Sequence, residues 1–189
     1  MCAAFGLEER ILVWDMCNEP FAYHKDFALQ DIIQPYELEW LRQMAERMRS
    51  NCVSQPLGVG STGREPMETF EDIYDVYLTH LYYTGDDAER FDQKVARFAA
   101  EAKENDIPLI ISECCWGSLD DKIRAEYIRV ALSTFKKYDL GFVAHALQYC
   151  GCADLHDPCD GRVSPEIGNL CFIRKDGSMR PHHEIFNEF

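Results

Sequence analysis

Apolar and polar positions follow two rhythms along this chain, and the rhythms take turns. Short apolar runs rich in β-branched or aromatic residues, at 11–16, 75–81, 108–112 and 140–147, predict strands. Residues 57–60 form a further, glycine-flanked strand. Between the runs, apolar residues recur at helical spacing. Leu38, Leu41, Ala45 and Met48 share one face of a helix over 31–48. Asp86 and Asp87 offer caps for a helix through Asn105 with the stripe Phe91, Val95, Phe98, Ala99 and Ala102. Asp120 or Asp121 caps another to Lys137, with Ile123, Tyr127, Val130, Ala131 and Phe135 inward. A short helix at 65–72, an extended 170–173, a turn at Asp176-Gly177 and a helix from Pro181 complete the pattern.

Repeated strand–helix units imply parallel strands with right-handed crossovers, an α/β fold in one domain over 1–189. Five such strands fit the length. A closed (β/α)8 TIM barrel needs about 250 residues, so the expectation is an incomplete barrel lacking roughly three βα units. The strand at Ile11 arrives early, and residues 1–10 read as the end of a helix leading into it.

The chain has a 47% hydrophobic and a 12% aromatic fraction, which marks it as globular. A formal net charge of −14 repels phosphate backbones and excludes nucleic acid as a partner. No apolar run approaches membrane-spanning length, and the N-terminus lacks the basic and apolar regions of a signal peptide. Nine cysteines, an odd number scattered through apolar contexts, read as reduced thiols of an intracellular, cytoplasmic protein. Cys150-Gly-Cys152 with His156 and Cys159 invites a zinc reading, but the spacing departs from common structural zinc modules. The better expectation for that loop is a lid or substrate wall, with Asp154 and His156 toward sugar hydroxyls.

Two carboxylates carry the candidate chemistry. Glu19 ends the first strand, in Trp14-Asp-Met-Cys-Asn-Glu-Pro20, and Glu113 ends the strand at 108–112. Carboxylates at the C-terminal tips of strands in one parallel barrel suit glycosidic bond cleavage. One gives a proton to the leaving oxygen, and the other attacks or stabilises the sugar carbon. If the period of two holds, His80 and Tyr82 point the same way, with Tyr82 able to donate to Glu113 and His80 to line the site near Glu19. Trp116 stands three residues past Glu113 and offers a flat face for sugar C–H groups. Trp14 reads as core and Trp40, on a helix, as structural.

These residues resemble a known family. Phe5-Gly, then Arg10-Ile-Leu-Val-Trp-Asp and Asn18-Glu-Pro20, is similar to the fourth-strand signature of clan A retaining glycoside hydrolases, closest to the cellulase- and mannanase-like family 5. His80-Leu-Tyr82 resembles that family's sixth-strand His-x-Tyr, and Glu113 its seventh-strand nucleophile. The 176–187 tail resembles the end of cellulase-like barrels. The likeness covers strands four to eight. It implies Glu19 as acid/base, Glu113 as nucleophile, and Asn18 on the sugar 2-hydroxyl. It also implies a β-glucan or β-mannan type carbohydrate substrate and no metal or organic cofactor. Where the family carries a strand-eight Trp, this chain has His145. That change, with the missing strands, motivates the alternative of a non-catalytic carbohydrate-binding remnant. A cysteine/histidine metal site of unrelated function is a third alternative, which metal analysis of the purified protein decides. A half barrel leaves open edges that invite pairing, so self-association or pairing with a missing N-terminal half barrel is expected. A single monomeric species in light scattering would contradict this. The chain is also open to being part of a longer protein with Met1 internal.

Overall fold

A computed structural model describes residues 2–21, 27–51, 54–147, 170–174 and 176–189. Five strands, β1 (Trp14–Asn18), β2 (Leu57–Ser61), β3 (Tyr77–His80), β4 (Leu109–Cys114) and β5 (Gly141–Ala144), form one sheet in chain order. β1 runs parallel to β2, and β2 parallel to β3. Helices α1 (Cys2–Phe5), α2 (Phe27–Ser50), α3 (Ala88–Glu104) and α4 (Asp121–Lys137) alternate with the strands, except that a 3-10 helix over Met67–Phe70 joins β2 to β3. The fold is α/β with a parallel five-stranded sheet. Among the described residues, no helix is long and apolar enough to cross a membrane. The chain packs as two compact units, Met1–His80 with Ala100–Ile110, and Leu81–Ala99 with Ile111–Phe189.

In the first unit, β1 starts three residues later than the apolar pattern predicts. The Ile11 N–H closes a turn onto the Glu8 carbonyl, and pairing opens only where the Trp14 N–H reaches the Pro56 carbonyl at 2.9 Å. Leu12 is left 74% exposed. Trp14 is half-buried rather than core, and its indole N–H donates to Gln55 Oε1. α2 buries Leu41, Ala45 and Met48, with Leu38 half-buried. Trp40, expected to be structural, lies off that face and is 48% exposed. At the C-terminal end of α2, Arg49 donates to the Ile73 carbonyl and to Asp75 Oδ1, tying the helix to the approach to β3. β2 and β3 are buried throughout. Their side chains alternate, with Ser61, Tyr77 and Thr79 linked through their hydroxyls, and Leu78 and His80 on the other face.

In the second unit, Asp87 Oδ1 accepts the Glu89 and Arg90 N–H groups and so caps α3. Phe91, Val95 and Phe98 face the core as their spacing predicts. Gly85 turns the chain at φ +95°, where a Cβ would overlap the Tyr127 phenol. Asp120 caps α4 by accepting the Lys122 and Ile123 N–H groups at 2.8 and 3.3 Å. The buried face of α4 keeps the expected Ala131 and Phe135 but is otherwise turned from the expected one. It carries Arg124, Ile128, Ala131, Leu132 and Phe135, while Ile123 is 45% exposed. The reason is Arg124, at 1% exposure. Its guanidinium donates to the Leu170 carbonyl at 3.2 Å and stacks over Phe172 at 4.6 Å, so a charged side chain takes a core position. Burial, helped by the neighbouring Arg180, pulls its pKa down to about 10.

Phe172 also meets His183, with ring centroids 5.1 Å apart, at the start of a terminal 3-10 helix over His183–Glu188. Burial first, then the Arg124 charge, lowers the His183 pKa below its ordinary 6.5. A base whose folded pKa is depressed binds fewer protons folded than unfolded, so stability falls as pH drops below 6.5 and is unaffected above it. Thermal melts between pH 7.5 and 5.5 should show this loss, and His183→Gln should flatten it. A variant as steep as wild type over that window contradicts the assignment. Loss from Asp92, held below its ordinary 3.8 by the Lys137 hydrogen bond, belongs to a separate, more acidic window.

Candidate active site

Glu19 follows β1 directly and adopts φ +48°, a left-handed conformation that costs a non-glycine residue about 1–3 kcal/mol. Two contacts hold it there. Its backbone N–H donates to the Gly60 carbonyl at 2.8 Å, and its carboxylate Oε1 lies 2.7 Å from His80 Nδ1. One proton therefore lies between imidazole and carboxylate. The His80 side chain is almost wholly buried, whereas that of Glu19 is about a quarter exposed. The imidazole is thus the fixed partner and the carboxylate the accessible one.

Two residues that sequence reasoning misses complete this corner. Asp15 Oδ1 accepts the Gly60 N–H at 2.9 Å. A Cβ on Gly60 would stand 2.6 Å from Asp15 Oδ2 and 3.0 Å from His80 Nε2. Only glycine lets the Asp15 carboxylate and the imidazole approach β2 this closely. The signal lies in Leu57-Gly-Val-Gly60, where glycines at alternate strand positions leave one face without side chains. Asn18, the last residue of β1, is exposed.

In the second unit, the Leu81 N–H donates to the Glu113 carbonyl and the His145 N–H to the Cys114 carbonyl, both at 3.0 Å. These bonds fix the end of β4. The Tyr82 hydroxyl donates to Glu113 Oε2 at 2.7 Å. The Tyr82 ring is flanked edge-on by Trp116 at 5.0 Å and by His145 at 6.4 Å. Leu170 and Cys171, both buried, pack against Tyr82, Trp116 and Ala146. The segment 172–173 is itself pinned, since the Phe172 and Ile173 N–H groups donate to the Ala146 and Leu147 carbonyls. Glu113 is therefore oriented by a tyrosine whose own ring is clamped.

Beyond Glu113 the chain turns through Cys115 at φ +76°. The Cys114 and Cys115 sulfurs are 3.5 Å apart and fully buried. The contact with Cys115, then burial, pushes the Cys114 thiol well above its ordinary range. It is a packing group rather than a nucleophile. Cys17, Cys114, Cys115 and Cys171 form no disulfide among the described residues. The Cys150, Cys152, His156 and Cys159 group and Asp154 lie outside the described residues.

The sequence-predicted residues thus assemble as Glu19 with His80, and as Glu113 with Tyr82, Trp116 and His145. Chemically, each set presents one carboxylate held by a hydrogen-bonding ring.

No family model and no curated protein matches this sequence. Solved structures are similar in fold. They include a β-glucuronidase from Bacteroides uniformis, at 17% identity and a TM-score of 0.69 over 89% of this chain and 22% of that one. A β-galacturonidase from Eisenbergiella tayi bound to galacturonate is similar at 13% identity and a TM-score of 0.70, over 98% of this chain and 34% of that one. A Lactobacillus rhamnosus β-glucuronidase aligns at 12% identity and a TM-score of 0.64, over 97% of this chain and 33% of that one. This chain spans between about a fifth and a third of the length of these proteins. The Eisenbergiella enzyme is named as GH2, a different family from the cellulase-like family 5 that the sequence motifs resemble. The chain shares its fold with parts of known glycoside hydrolases.

Proposed function

We propose that this chain is the site-bearing part of a retaining β-glycosidase acting by double displacement, with Glu113 as nucleophile and Glu19 as acid/base. The observation that carries the reading is the pair of strand-end carboxylates, each fixed at 2.7 Å by its own ring partner, Tyr82 or His80. Likeness in fold to β-glucuronidases and a β-galacturonidase supports it.

In the first step, a Glu113 carboxylate oxygen attacks the anomeric carbon and forms an ester bond. The bond to the leaving oxygen breaks, its electron pair goes to that oxygen, and the Glu19 proton is transferred with it. In the second step, Glu19 takes a proton from water as the water oxygen attacks the same carbon. The ester bond breaks and its electrons return to Glu113. Double displacement requires the carboxyls about 5–5.5 Å apart across the sugar. Tyr82 fixes one Glu113 oxygen and so aims the other. His80 holds Glu19 in a rare backbone conformation, so its carboxyl needs no reorganisation when the proton moves. Asn18 binds the 2-hydroxyl, a contact that strengthens as the ring flattens. Trp116 and His145 form the wall against which the sugar lies. The chemistry as written uses no metal or organic cofactor.

The incomplete (β/α)8 barrel belongs to this reading, with β1–β5 as its strands four to eight. The substrate is a β-linked oligo- or polysaccharide. The named specificities of the neighbours add β-uronides to the neutral glucosides and mannosides suggested by the sequence. The test is turnover of an aryl β-glycoside panel containing all three. Wild-type rates retained by both Glu19→Ala and Glu113→Ala overturn the reading. Calorimetric binding with no turnover of any panel member favours the alternative of a carbohydrate-binding remnant, which the replacement of the usual Trp by His145 motivates.

A further inference from the structure

The Tyr82 side chain that orients Glu113 also lines a cavity of about 500 Å³ within the second unit. The cavity lies between the segment after β3 and one face of α3. Its lining includes Tyr82 and Tyr83 from that segment and Arg90, Lys94 and Arg97 from the helix. Positions 90, 94 and 97 repeat at helical spacing, so three cations stand in a row on one α3 face. Phe91 lines the cavity as well, while Val95 and Phe98 face the core and Asp92 pairs with Lys137.

The cavity also contains two carboxylates, and both have local work. Asp87 caps α3, and Asp86 accepts the Thr84 hydroxyl, which lowers the Asp86 pKa. Both stay charged, and Arg90 already faces Asp86, so the lining sets three cations against two anions. The Arg97 guanidinium lies over the Phe98 ring at 5.0 Å, which presets its position without neutralising it. In a chain of net charge −14, a lining in which Arg90, Lys94 and Arg97 outnumber Asp86 and Asp87 is a local reversal of sign. Guanidinium forks suit planar carboxylates, and tyrosine rings suit the apolar faces of sugars.

We infer that this cavity is a subsite for an acidic saccharide, binding the carboxylate of a uronic acid residue through Arg90 and Arg97 while Tyr82 and Tyr83 pack its ring. The ligand's being a saccharide rests on the glycosidase reading. Through Tyr82 the subsite borders Glu113, so a uronate here belongs to the same chain as the bond being cut. The substrate class becomes an acidic β-linked polysaccharide with uronic acid beyond the cleavage point.

Calorimetry with β-1,4-linked tri-mannuronate and with its fully methyl-esterified form tests this, because the two share shape and differ in charge. Wild type should bind the acid at least tenfold more tightly than the ester. Arg90→Gln/Arg97→Gln, with both changes on an exposed helix face, should erase that preference and leave ester binding unchanged. Raising salt should weaken acid binding by wild type and not by the double variant. Equal binding of acid and ester by wild type, or a preference that survives in the folded double variant, overturns the proposal. These binding outcomes are independent of turnover. A protein that prefers the acid but hydrolyses nothing sinks the glycosidase reading alone, and one that hydrolyses aryl glycosides without the preference sinks the subsite alone.

Discussion

Replacing Glu113 by alanine is expected to lower kcat on an aryl β-glycoside by roughly 10⁴-fold or more, the scale seen when a nucleophile is removed outright. The cause is the first step, which has no covalent partner without the carboxylate. Azide should restore part of the rate by entering the vacated space, and the product should be the α-glycosyl azide. That stereochemistry separates a nucleophile from a residue needed only for folding. The variant also removes the Tyr82–Glu113 hydrogen bond, and a hydrogen bond to a charged group contributes about 1.5–3 kcal/mol. A thermal melt is therefore run alongside. A folded variant with undiminished activity would remove Glu113 from the mechanism, and a folded variant that azide does not rescue would deny it the nucleophile's role.

Replacing Glu19 by alanine should have an effect that depends on the leaving group. General acid catalysis contributes roughly 10²–10⁴-fold where the departing oxygen is basic. For an alkyl β-glycoside, kcat/KM should fall by that amount. For a 2,4-dinitrophenyl glycoside, whose leaving group needs no proton, kcat/KM should stay close to wild type. Its kcat should fall, because water attack on the ester now lacks a base. Azide, which needs none, should then speed the second step and give the β-glycosyl azide. Equal losses on both substrates would mean that Glu19 acts through structure. That outcome is physically credible, because its φ of +48° and its bond to Gly60 make it part of the β1 terminus. His80 is the control. His80→Phe keeps a ring and removes the hydrogen bond, so it should reproduce a weaker form of the same leaving-group dependence.

The parts of the fold that the sequence displays are those decided locally. α3 carries its cap and its stripe within a few residues, so Asp87, Phe91, Val95 and Phe98 behave as their spacing predicts. α4 has an equally good cap, yet its buried face is turned because a guanidinium occupies it. The groups that make this favourable, the Leu170 carbonyl and the Phe172 ring, come from far along the chain. No helical periodicity signals that a distant acceptor will be there. The start of β1 is hidden for a similar reason. Ile11, Leu12 and Val13 are as strand-like as Trp14–Asn18, and only the Trp14 bond to Pro56 decides where pairing opens.

The site divides along the same line. Strand alternation predicts that His80 and Tyr82 point the same way; β3 ends at His80, and each ring makes a hydrogen bond of its own, His80 to Glu19 and Tyr82 to Glu113. The role of Gly60 depends on two neighbouring strands closing around it, with Asp15 from one and His80 from the other. An isolated glycine in a strand says that something approaches, not what approaches.

Double displacement by this chain requires a covalent bond between Glu113 and the sugar, and mechanism-based labelling reads that bond directly. A Bacteroides uniformis β-glucuronidase similar in fold has been captured covalently bound to cyclophellitol-6-carboxylate aziridine. The same reagent and its neutral counterpart can be incubated with this protein and the adduct mapped by peptide mass spectrometry. One added label is expected, on Glu113, blocked by Glu113→Gln and retained in Glu19→Gln. Labelling of Glu19 in place of Glu113, or turnover of aryl glycosides with no adduct from either reagent, would contradict this.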